Sequence, residues 1–186
     1  MNFQTAVKET EDKMKKSLDA VQHNLAGIRT GRATPGMVEN IRVDYYGAMT
    51  PLKQMANITV PEPRMIVIHP WDPSALKAVE KAMGESDLGI APVIDGKMIR
   101  LAVPPLTRER REELVKIVHK LAEEGRVSLR SVRRDANERV KAMEKDKTIT
   151  EDESFKAQAE IQKLTDRYIQ LIDQAQSGKE KDLIQG

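Results

Sequence analysis

Apolar residues near the amino terminus fall at Met14, Leu18, Val21, Leu25 and Ile28, in alternating steps of four and three, with charged and amide residues between them. That spacing returns each side chain to one face, so the pattern predicts a helix from Phe3 to about Ile28 with a single buried stripe. Thr30-Gly31 ends it, and Pro35-Gly36 prevents its continuation because proline has no amide to donate. A longer periodicity runs from Thr107 to about Lys145 through Leu114, Val118, Leu121, Gly125, Leu129, Val132, Ala136, Val140 and Met143. Its mean step is close to the turn of an ideal helix, which predicts a nearly straight rod roughly 60 Å long. After a turn at 146–149, Thr150-Glu151-Asp152-Glu153 has the form of a capping box. A third helix starts there, with an expected stripe of Ile161, Leu164, Tyr168, Leu171 and Ala175. Ser177-Gly178 marks its expected end, with Leu183 and Ile184 packing beyond.

Between Arg32 and Pro104 the period changes from helical to alternating. Ile41, Val43 and Tyr45 alternate with Arg42, Asp44 and Tyr46, as in a half-buried strand. Met65-Ile66-Val67-Ile68 reads as a second strand. Asp72 is placed to cap a short helix with Pro73 in its first turn and Leu76, Val79 and Met83 on its apolar face, before Gly84 and Gly89. Asp95-Gly96 suits a type I′ turn between Val93-Ile94 and a return strand of Ile99, Leu101 and Val103.

A lone striped helix cannot hide its apolar side, so the three stripes must meet one another. The expected fold is α+β in two domains: a long antiparallel three-helix bundle from residues 1–30 and 105–186, with a small β/α/β domain inserted at 31–104. Hinges are expected near 30–35 and 103–107, with Gly31 supplying the bend and Pro104 and Pro105 limiting its range.

Composition narrows the chemistry. With no cysteine among 186 residues, disulfides, thiolate metal sites and thiol nucleophiles are excluded. No apolar run approaches a membrane span. His23, His69 and His119 lie in separate elements without ligand-spaced partners, and no phosphate-loop, dinucleotide or hydrolase motif occurs, so neither catalytic residues nor a metal or cofactor is expected. The net charge of +2 identifies no partner by itself, since 31 basic residues face 29 acidic ones.

Local charge is more informative. In the segment RVSLRSVRRDANER, Arg126, Arg130 and Arg133 share one helix face with Asn137, and Arg134 flanks it. Guanidinium groups hold phosphate oxygens bidentately and stack on bases, so this face is a candidate RNA-binding surface. Arg108, Arg110 and Arg111 open the same helix, while Arg29 and Arg32 lie where the first one ends. The competing interpretation is a helical-hairpin protein-interaction module, a chaperone or adaptor, whose arginines are tied to neighbouring carboxylates.

Residues 28–35 (IRTGRATP), 44–47 (DYYG), 104–107 (PPLT), 109–111 (ERR) and 132–137 (VRRDAN) together resemble the bacterial ribosome recycling factors, as do Asp146-Lys147 and 162–166 (QKLTD). Residues 91–97 (APVIDGK) depart from that pattern. The resemblance implies an L-shaped, monomeric, cytoplasmic, non-enzymatic protein. It implies partners in the 70S ribosome, the large subunit with its 23S ribosomal RNA, and the GTPase elongation factor G, together splitting post-termination ribosomes. It also implies RNA contact by Arg133, with Arg130, Arg134, Arg29, Arg32 and Arg110 in support.

Overall fold

A computed structural model describes residues 2–185. The chain divides into two compact units, one of Met1–Arg29 with Glu109–Ile184 and one built on Thr30–Arg108.

The first unit is three helices: α1 (Phe3–Ala26), α3 (Arg108–Lys145) and α4 (Glu151–Gln185). Asn2 opens α1 by accepting the Thr5 amide at 2.9 Å. Cross-helix pairs set the directions. Glu9 meets Arg139, and the Ser17 and Ser128 hydroxyls are 2.8 Å apart, so α1 and α3 run antiparallel. Arg126 meets Asp173 and His119 meets Glu180, so α3 and α4 run antiparallel as well. Met14, Leu129, Ile161, Ile172 and Leu183 are fully buried, and each large apolar side chain so buried stabilises the bundle by roughly 1.5–3 kcal/mol. Gly125 lets α3 approach closely, since a Cβ there would stand 2.3 Å from Val21 Cγ2 and 3.1 Å from Ile172 Cδ1. The capping box forms in both directions: the Glu153 amide donates to Thr150 Oγ1 at 3.2 Å, and the Thr150 amide donates to Glu153 Oε2 at 2.8 Å.

Two expectations for the third helix need correction. It does not stop at Ser177-Gly178 but continues to Gln185. A mid-helix glycine costs only about 1 kcal/mol, less than burial of Leu183 one and a half turns later returns. Its buried stripe is Ser154, Ala157, Ile161, Thr165, Tyr168, Ile172 and Gln176, while Leu164, Leu171 and Ala175 lie half-buried at its flanks. Hydrophobicity misplaced that stripe because Thr165 can enter the core with its hydroxyl satisfied, donating to the Ile161 carbonyl at 2.8 Å.

The second unit has six strands and one helix, labelled β1 (Arg42–Tyr45), β2 (Ala48–Pro51), β3 (Ala56–Glu62), β4 (Met65–Pro70), α2 (Leu76–Glu85), β5 (Val93–Asp95) and β6 (Met98–Ala102). Strands β3, β4, β6 and β5 form an open antiparallel sheet in that order, and β1 pairs with β2 as a separate hairpin. The core beneath them includes Val43, Leu52, Ile66, Ile68, Val79, Met83, Ile99 and Leu101. Asp72 does cap the entry to the helical segment, accepting the Ser74 amide at 2.9 Å, but the first turn, Pro73–Ala75, is a tighter 3-10 turn. Gly84 does not terminate α2, which runs on to Glu85 before Ser86 caps the Met83 carbonyl through its hydroxyl at 2.6 Å.

The type I′ turn belongs to the other hairpin. Tyr46 (φ 50°) and Gly47 (φ 82°) both lie in the left-handed region, and Tyr45 pairs with Ala48 across them. In the β5–β6 hairpin, Asp95 pairs with Met98. The loop is therefore Gly96-Lys97, with only Gly96 at positive φ (61°), the type II′ pattern. Gly31 also sits at positive φ (77°), and a Cβ there would lie 3.2 Å from Leu106 Cγ. On either side of the expected bends the backbone is pinned to the β3–β4 turn: the Ala33 amide donates to the Pro63 carbonyl at 2.7 Å, and the Val103 amide to the Arg64 carbonyl at 2.8 Å.

Candidate nucleic-acid interface

Helix α3 presents its arginines to different surroundings. Arg126, expected on the outward face, is turned onto α4: its side chain is only 18% exposed and binds Asp173 at 2.7 Å, Glu123 at 3.2 Å and the Gln176 side-chain oxygen. Arg139 is tied to Glu9 of α1. These two guanidiniums tie α3 to its neighbours, Arg126 to α4 and Arg139 to α1. Arg130 is 44% exposed and holds Glu123 at 3.1 Å.

Arg133 and Arg134 differ from these. Neither has a hydrogen-bond or ion-pair partner among the described residues. The antiparallel register set by the 119–180 and 126–173 pairs brings Arg133 level with Asp166 of α4. The Asp166 carboxylate accepts from Gln162 Nε2 at 2.9 Å and forms no ion pair with Arg133. Arg133 is half-buried and Arg134 exposed. One turn on, Asn137 Oδ1 is buried without a hydrogen-bond partner among the described residues. Within this arginine-rich segment Arg126, Arg130 and Arg139 thus have carboxylate partners, and Arg133 and Arg134 have none among the described residues.

The remaining candidates do not join this face. Arg110, in the first turn of α3, holds Glu113 at 2.9 Å while more than half exposed, and stands roughly 35 Å along the helix from Arg133. Antiparallel packing places Arg29, which follows α1, at the same end of the bundle as Arg110. Arg32 is exposed in the other unit. The predicted arginines therefore form two groups on the bundle, one mid-rod and one at its end.

Sequence periodicity missed the α3–α4 polar network around Gln176. Gln176 Nε2 stands 2.9 Å from His119 Nδ1 and donates to Glu180 Oε1 at 2.9 Å, while His119 Nε2 also reaches Glu180 at 2.9 Å. Its cue is an amide at a position in phase with Thr165, Tyr168 and Ile172. The Glu123 carboxyl is held below its ordinary range, first by the hydrogen bond from Arg130 and then by that from Arg126. Among the described residues no group of three or more His, Asp or Glu is arranged to hold a metal ion. No described helix is long and apolar enough to cross a membrane.

Three antiparallel helices interrupted by an inserted sheet unit, with two arginines of α3 that lack an ion-pair partner among the described residues, define a class of two-unit α+β proteins. Comparison with known proteins narrows this. The ribosome recycling factor family profile matches residues 21–184. The ribosome-recycling factor of Heliobacterium modesticaldum is 56% identical over 178 residues, 96% of each chain. That of Carboxydothermus hydrogenoformans is 51% identical over 182 residues, 98% of each chain. A solution structure of the ribosome recycling factor superposes with a TM-score of 0.76 at 44% identity, covering 100% of this chain and 99% of the other. Models of the T. thermophilus ribosome recycling factor and the E. coli elongation factor G bound to the E. coli post-termination complex include a chain that matches at a TM-score of 0.64 and 46% identity, covering 98% and 99%. The chain belongs to the ribosome recycling factor family.

Proposed function

We propose that this protein recycles ribosomes after termination, docking its bundle on the 23S RNA of the large subunit and acting with elongation factor G. Family membership over nearly the whole chain supports the function, and one observation carries the docking face: Arg133 and Arg134 are left without internal counter-charges while neighbouring arginines are neutralised. Arg133 is the principal RNA contact, Arg134 and Arg130 flank it, Arg29 and Arg110 give weaker support at the bundle end, and Arg32 gives it from the inserted unit. The protein has no catalytic step of its own. GTP hydrolysed by the partner supplies the free energy, and the rod transmits it, because phosphate contacts on a straight helix anchor one unit while the other swings. The bend lies at Gly31 and at Pro104-Pro105, between anchored Ala33 and Val103 and the helices. On this reading the protein acts in the cytoplasm, where its ribosomal target is, and as a monomer.

Sedimentation with purified large subunits tests the face. Arg133→Ala should weaken binding at least tenfold with helical circular dichroism unchanged, a loss in the range of a charge-assisted hydrogen bond, about 1.5–3 kcal/mol. Wild-type affinity in that variant would remove Arg133 from the interface.

A further inference from the structure

Arg130 is bound in an unusual direction for a residue on a docking face. Its partner Glu123 is seven residues earlier on the same helix, about 10 Å along the axis. A contact over that distance requires both side chains to lie along the helix rather than project from it, so the Arg130 guanidinium is drawn back toward the amino-terminal end of α3. Glu123 is itself held. One of its oxygens accepts from Arg130 Nη1 at 3.1 Å and the other from Arg126 Nη1 at 3.2 Å, and Arg126 is fixed in turn by Asp173 and Gln176 on α4. Two carboxylates and two guanidiniums cancel in this cluster, whereas Arg133 and Arg134, one turn further, remain uncompensated.

We infer that Glu123 is a positioning residue, a built-in counter-charge that holds Arg130 against the bundle and competes with an RNA phosphate for it. The inference rests on the RNA-docking reading above. Its consequence is a tuned affinity: the Arg133 and Arg134 charges are available at encounter, and Arg130 is added only when phosphate outcompetes Glu123. The hydrogen bonds from Arg130 and then Arg126 hold the Glu123 carboxyl below its ordinary range and so favour the charged form of this competitor. An exposed ion pair of this kind is weak enough to be exchanged, so its removal should be visible without being large.

The experiment measures the affinity of the full chain for purified large subunits across a salt series. Glu123→Gln should bind roughly two- to five-fold tighter at low salt, the range expected on releasing an exposed ion pair, and its log affinity should fall more steeply with log salt by roughly 0.7–0.9, one extra phosphate. Glu124→Gln makes the same change in net charge at the neighbouring exposed position, and should show less than half that gain with an unchanged slope. In an Arg130→Gln background, Glu123→Gln should do no more than Glu124→Gln. The inference is overturned if Glu123→Gln binds no tighter than Glu124→Gln, or if its gain survives loss of Arg130. If Arg133→Ala weakens binding while Glu123→Gln gives no gain, this inference fails and the docking reading stands. Should Arg133→Ala bind like wild type, both fall.

Discussion

Gly125 offers the sharpest test of how the bundle is held. In an isolated helix, replacing an internal glycine by alanine stabilises by about 1 kcal/mol. Here the new Cβ would stand 2.3 Å from Val21 Cγ2, far inside van der Waals contact, with Ile172 Cδ1 at 3.1 Å. Ile172 can yield through its terminal methyl. Val21 cannot yield cheaply, because its branched side chain is stiff at χ1 and it is 96% buried in the seam, being 4% exposed. Overpacking of this kind costs typically 1–3 kcal/mol; a clash this close belongs at the upper end, and subtracting the propensity gain leaves a net loss of about 2 kcal/mol. Urea unfolding followed by circular dichroism at 222 nm would measure it for Gly125→Ala. The sign should reverse in a Val21→Ala background, where the clashing methyls are gone and only the propensity gain, up to about 1 kcal/mol, remains. A Gly125→Ala variant at least as stable as wild type would show that α1 and α3 are not packed this closely.

Two other glycines should respond in opposite directions for backbone reasons alone, since an added Cβ meets nothing within 4 Å at either. Gly178→Ala, inside α4, should stabilise by about 1 kcal/mol, and Gly47→Ala, at φ 82°, should destabilise by roughly 1–2 kcal/mol; thermal melts of the pair check both signs. Acid should weaken the sheet unit through Asp72, whose carboxyl is held below the ordinary 3.8 by the Tyr45 hydroxyl at 2.6 Å and then by Ser74. A lowered folded-state value means the contribution is present above about pH 4 and is lost as pH falls through the lowered value. The fluorescence of Trp71, the sole tryptophan, should report this loss, and Tyr45→Phe should flatten it; an unchanged acid profile in that variant would contradict the assignment.

The sequence determined most where one local rule decides the outcome. Heptad-like spacing located the α1 stripe from Met14 to Leu25 and the reach of α3, because helical geometry alone puts those residues on one face. The capping box at Thr150 was equally legible, since both of its hydrogen bonds lie within four residues. Strand β2 was not legible: Ala48–Pro51 has small or polar residues and a proline, and becomes a strand through its partner's ladder. Strand β3 does carry an alternation, Ala56, Ile58 and Val60 against Asn57 and Thr59, but it is short and sits between prolines, and it went unread.

The tertiary structure alone decided which arginines are free. Spacing put Arg126, Arg130 and Arg133 on one face, but Arg126 is turned onto Asp173, 47 residues away on α4, and Arg139 onto Glu9, 130 residues away on α1. It likewise carried α4 through Gly178, because the burial of Leu183 against distant parts of the bundle exceeds a local penalty. Periodicity records which way a side chain points from its own helix. Whether a charge stays uncompensated or a weak turn is held depends on what the folded chain brings alongside it, and no local pattern encodes that.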